Sequence, residues 1–195
     1  MSATPFVWAP WARPWSVASV LVEGPTEEPL TLDQAKLRAG FEWAPGDERD
    51  TLLRGFIKAA RQKVEHDTGL ALLTQTRDIF VAATSNGLVP LPWQAMPVQS
   101  LTAIEGSVGF FTQDLVQRAL HFEEGATLAA MWRVVAGWPS PAVLEAEAPM
   151  LTQAVGLLTA HYATLGRDLA LLGAAVPVPH GYDACIDAYR VVWLP

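Results

Sequence analysis

Cysteine is nearly absent: Cys185 is the single one in 195 residues. That excludes an internal disulfide and any zinc site built from cysteines, and it fits a reducing compartment. Positive charge is also scarce, with 13 Lys and Arg against 20 Asp and Glu and a formal charge of −7. Lacking any Lys/Arg run, the chain has no evident means of holding a phosphate backbone through counterion release. It contains no H-x-x-x-H, no phosphate-binding glycine loop and no G-x-S-x-G; Gly106-Ser107-Val108-Gly109 comes nearest to the last and reads as a turn. The N-terminus lacks the basic-then-apolar order of a signal peptide, and Pro5, Pro10 and Pro14 would break a helix there. Uncharged stretches at 79–104 and 148–166 are interrupted by prolines and polar residues, so neither predicts a membrane span. With 51% hydrophobic and 17% charged residues, the composition is that of one packed domain with appended arms.

What is plentiful is proline, 15 residues, and tryptophan, 8 residues, three of them within the first fifteen positions. Residues 1–29 read as an aromatic, proline-rich N-terminal arm with a strand-like run at Val17–Val22. Trp8, Trp11 and Trp15 are separated by prolines that deny the arm a helix. Such an arm either stays unpacked or docks its rings into a groove on this chain or a neighbour. Thr31 with Gln34 predicts a capping box and Gly40 a helix stop. A long helix is expected over Asp47–Thr68, ended by Gly69, with Leu53, Phe56, Ile57, Ala60 and Val64 inward and Arg54, Lys58, Arg61, Gln62 and Glu65 facing away. From about 72 to 135, short runs split by Gly, Pro and polar clusters predict a small antiparallel β-insert, with Ser85-Asn86-Gly87 as a hairpin signal. Pro149 opens a second long helix striped by Leu151, Ala154, Val155, Leu158, His161, Tyr162 and Leu165. Residues 177–195 form an apolar C-terminal tail, a short helix or an extended segment. The expected class is α+β and mainly helical: two long packed helices plus short ones, a β-insert, and extended N- and C-terminal arms. The helical domain spans 30–176.

Residues that could carry chemistry do not converge. The histidines have no ligand spacing, and Glu65-His66-Asp67 would point about 100° apart on a helix. Cys185 reads as a small apolar residue and His161 as a hydrogen-bonded core histidine. No catalytic, cofactor or metal site is predicted, and the chain is not expected to be an enzyme. One alternative is a small carbohydrate-binding or hydrolase-like module using the β-insert, with Trp93, Trp132 and Trp138 as a platform. The aromatic arm and apolar tail point instead to burial on other subunits.

Leu30-Thr31-Leu32-Asp33-Gln34-Ala35-Lys36-Leu37-Arg38 resembles the opening of the head–tail connector (adaptor) proteins of tailed bacteriophages and gene transfer agents. Ala59-Ala60-Arg61, Val64-Glu65 and Thr68-Gly69 continue the resemblance, as do Leu91-Pro92, Pro97-Val98 and Ser100. Ala148-Pro149, Gln153-Ala154, Leu157-Leu158, His161-Tyr162, Pro179, Gly181 and Tyr189-Arg190 complete it in order, from about 30 to 190. The resemblance implies a homo-oligomeric ring, usually twelvefold, between the portal protein and the next tail component (a stopper or tail terminator). It implies a place at the head–tail junction of a virion or phage-like particle, assembled in the bacterial cytoplasm, with no membrane and no cofactor. DNA would pass through the lumen without specific binding, and Glu27-Glu28, Asp47-Glu48, Glu123-Glu124, Glu145 and Glu147 are candidates to line it. Tyr182, Tyr189, Arg190, Val192 and Trp193 are the candidate portal contacts, and Trp8, Trp11 and Trp15 the candidate arm contacts.

Overall fold

Thr31 begins the first helix as the sequence predicts. Its Oγ1 accepts the Gln34 amide at 3.2 Å while Gln34 Oε1 accepts the Thr31 amide at 2.9 Å. Helix α1 (Leu32–Ala39) ends at Gly40 in the left-handed region, and α2 (Arg49–Thr68) ends the same way at Gly69. Ser140 caps α3 (Pro141–Glu147), a helix not foreseen because Pro139 and Pro141 read as a loop; Pro141 instead occupies the first turn, where it needs no amide. Helix α4 (Pro149–Leu165) follows, and α5 (Tyr182–Ile186) runs into a 3₁₀ turn at Asp187–Tyr189. The computed structural model describes residues 19–81, 88–92, 94–105, 111–114, 119–122, 130–165 and 178–190. Among them the class is α+β: α2 and α4 pack against each other, with α1 and α5 against α4.

Among the described residues, seven strands form two antiparallel sheets: β1 (Ser19–Glu23), β2 (Gln75–Val81), β3 (Leu88–Pro90), β4 (Val98–Glu105), β5 (Phe111–Asp114), β6 (Ala119–Phe122) and β7 (Ala130–Ala136). One sheet has the order β1-β2-β7-β4 and the other β3-β6-β5. Two expectations change here. The strand-like run of the arm is the edge strand of the larger sheet, paired with β2 from Ser19 opposite Ile79. And β2 does not form a hairpin with β3: the two lie in different sheets, while Ser85-Asn86-Gly87 and Gly106–Gly109 fall outside the described residues.

The larger sheet buries one face. Ile79 on β2 and Trp132, Val134 and Ala136 on β7 enter the core, joined by Leu53, Ile57, Ala60 and Val64 of α2 and Leu151, Val155 and Leu158 of α4. Trp132 meets Phe122 at 5.5 Å between ring centres, and Phe122 meets Phe111 at 5.9 Å, which ties the smaller sheet to the larger. Where β7 leaves the sheet, Gly137 sits at φ +104, and a Cβ there would lie 2.2 Å from the Leu73 carbonyl oxygen. Only glycine allows the two segments this approach.

A polar network fixes the sheet to α2, against the expectation that Arg61 and Glu65 face solvent. Both are buried. Arg61 donates to Glu65 Oε2 at 2.6 Å and to Glu28 Oε2 at 2.8 Å. Glu65 Oε1 accepts the Leu72 amide at 3.0 Å and the Gln75 side-chain amide at 3.4 Å. Arg77 then donates to Gln75, to Ser19 Oγ at 3.2 Å and to Gln94. Burial raises the Glu65 pKa despite the opposing pull of Arg61.

Candidate functional site

The C-terminal segment is built onto the end of α2. Tyr182 is 1% exposed, its ring in the core and its hydroxyl donating to Asp67 Oδ2 at 2.7 Å. Lys63 holds the same carboxylate from one turn earlier, at 2.5 and 2.6 Å. Burial, then the bond to Asp67, pushes the Tyr182 phenol well above its usual range, so it stays a donor. Cys185 and Ile186 are buried beside it, and burial pushes the Cys185 thiol up as well. A shallow cleft of about 320 Å³ opens here, lined by Lys63, His66, Asp67, Val178, Tyr182 and Arg190 among others.

Of the candidate portal contacts, Tyr182 is thus spent inside its own subunit. Tyr189 is half-buried against the core and Arg190 is exposed, donating to Asp183 at 2.5 Å and Asp187 at 2.8 Å. Val192 and Trp193, like Trp8, Trp11 and Trp15, lie outside the described residues. The structure therefore places Tyr182 in α5, Tyr189 in the 3₁₀ turn and Arg190 just after it, the first buried and the last exposed.

A second concavity, of about 640 Å³, runs between the α1–α2 connection, α2 and the end of α4. Phe41 and Trp43 stack at 4.7 Å, and the Arg49 guanidinium lies 4.5 Å over the Trp43 ring. The Trp43 indole is aimed by Asp50 Oδ1, which accepts it at 2.8 Å. Leu52, Phe56 and Ala163 supply the apolar wall. Sequence reading missed this groove; the signal was Phe41 and Trp43 standing in a polar connection beside Pro45-Gly46.

The alternative reading as a carbohydrate platform loses two of its three rings. Trp132 and Trp138 are buried, the indole N–H of Trp138 donating to Glu147 Oε2 at 3.0 Å, and Trp93 lies outside the described residues. His161 is half-buried, 6.1 Å from Tyr162 between ring centres. No cluster of three or more His, Cys, Asp or Glu among the described residues could hold a metal ion, and no helix among them is long and apolar enough to cross a membrane. Of the acidic candidates, Glu28 is bound to Arg61 and Asp47 to Arg49, Glu123-Glu124 lie outside the described residues, and Glu27, Glu48, Glu145 and Glu147 are exposed.

No family model matches the chain, and no curated protein matches it. Among solved structures, the fold is similar to a chain in the virion of a native gene transfer agent (GTA) particle, with a TM-score of 0.69 and 21% identity over 91% of this chain and 97% of that one. A chain in the neck of an empty GTA particle computed with C6 symmetry matches with a TM-score of 0.68 and 21% identity, over 91% of this chain and 97% of that one. A chain in the neck of a native GTA particle computed with C12 symmetry gives 0.60 and 22%, over 87% and 96%. At these identities the likeness is one of fold.

Proposed function

We propose that this chain is a structural subunit of the neck of a phage-like particle: a head–tail adaptor forming a ring, twelvefold, between the portal protein and the next tail component. The observation that carries the reading is the end-to-end likeness of fold to a GTA virion chain, over 91% of this chain and 97% of that one. The ordered motifs from Leu30 to Arg190 support it separately.

In such a ring the helical bodies pack side by side, and the groove lined by Phe41, Trp43, Leu52 and Phe56 is the apolar surface suited to a neighbouring subunit. The tail beyond α5 reaches the portal, with Arg190, Val192 and Trp193 as contacts and Tyr189 at their base. Tyr182 holds the helix from which they extend. Twelve copies carry 12 × (−7) = −84 formal charges, which disfavours adhesion of a phosphate backbone and lets DNA slide.

The test is native mass spectrometry and negative-stain imaging of the protein mixed with purified portal. Rings decorating the portal are expected, and their loss on deleting residues 191–195. A protein that stays monomeric and leaves the portal bare refutes the adaptor reading.

A further inference from the structure

The outer face of the four-stranded sheet carries exposed apolar side chains at one end, and β1 begins at that end. Val20, Phe80, Ile104 and Met131 are 64%, 48%, 43% and 37% exposed. Phe80 stands opposite Met131, Val20 opposite Asp78, and Ile104 at the bulge between the pairs Ala103–Trp132 and Glu105–Met131. Next to them Asp78 grips Arg133 with two parallel bonds, Nε to Oδ1 at 2.7 Å and Nη2 to Oδ2 at 2.9 Å. A guanidinium pinned along its edge keeps its flat face free for an aromatic ring.

Strand β1 begins at Ser19, opposite Ile79, one position along β2 from Phe80. The 18 residues before Ser19 contain Phe6, Trp8, Trp11 and Trp15 and one charged side chain, Arg13. We propose that the chain's own residues 1–18 cover this outer face, with Trp15 stacked on the Arg133 guanidinium and Trp11 on Phe80, Met131 and Ile104. Reach allows it. Strands about 4.8 Å apart put β7 about 10 Å from β1, and four residues span up to about 14 Å. The tether also decides the occupant: an arm attached next to its seat is presented at an effective concentration on the order of millimolar, which a second copy's arm does not match in dilute solution. This seat is a property of the single subunit and does not depend on the ring.

The full chain with Cys185→Ala, Ser16→Cys and Thr102→Cys tests it, because Thr102 stands opposite Arg133. A short bis-maleimide is expected to give mainly an intrachain link whose yield does not depend on protein concentration. Links that are interchain and rise with concentration would assign the face to a second copy and overturn the proposal. In the Cys185→Ala, Thr102→Cys protein, maleimide labelling is expected to speed up several-fold when Trp11 and Trp15 are both changed to Ala. Equal rates would overturn it by leaving the face open to a separate partner. Cys185 is buried, so the Cys185→Ala protein, its melting curve first matched to that of the full chain, is the reference for both measurements.

Discussion

Asp50 accepts from Lys36 Nζ at 2.7 Å, from the Trp43 indole and from the Gly46 amide, and these donors, Lys36 first, bring its pKa from 3.8 to about 2. A carboxylate whose folded pKa lies below its unfolded value contributes stability that is present above the unfolded value and lost as pH falls through the folded one. Asp50→Asn is therefore expected to flatten the loss of stability between pH 3.8 and about 2 in urea titrations. It should also destabilise the neutral protein, where Lys36 loses its partner. Glu65 acts in the opposite sense: its folded pKa is raised, so its contribution is complete below the unfolded value and lost as pH rises through the folded one. Neither burial was legible in the sequence. Helical spacing marks which apolar residues turn inward, but a charged residue turns inward only when another segment brings its partner, as Asp50 does for Lys36 and Glu28 for Arg61.

Elements whose signals are local were readable from the sequence. The Thr31–Gln34 cap, the glycine stops at 40 and 69 and Pro149 at the start of α4 are where the sequence puts them, and the strands from β2 to β7 fall within the expected β-insert. Pairing was not, because a strand's partner is chosen by the core face it must share: β2 takes β1 and β7, on either side of it, over its sequence neighbour. For the short α5 the sequence allows either a helix or an extended tail, since five residues carry too little periodicity; the buried Tyr182 is what holds it. Tyr182→Phe should loosen α5 by about 1 kcal/mol through the lost bond to Asp67, read as faster amide exchange in that helix. At the β7 exit, Gly137→Ala combines a positive φ with a carbonyl 2.2 Å away. A loss of at least about 2 kcal/mol is expected in denaturant melts, because both segments must part. The concavities were less legible than the elements: the groove at Trp43 exists only because the α1–α2 connection, α2 and the end of α4 converge there.

At the scale of the whole molecule, α5 ties the C-terminal segment to α4 and α2. Cutting after Pro179 removes Tyr182, Cys185 and Ile186 from the core and is expected to lower stability by roughly 5 kcal/mol. Calorimetry of the truncated and the full chain checks this. The network from Glu28 through Arg61, Glu65, Gln75 and Arg77 to Gln94 draws on stretches that meet only when helix, sheet and loops have all arrived. We expect contacts closed between such distant stretches to be incomplete in the folding transition state, so that they weigh on the rate of escape from the native state. Glu65→Gln should then steepen nothing on the refolding arm of a chevron and quicken the unfolding arm. What this buried polar chain would set, then, is the length of time for which the fold keeps its shape once formed.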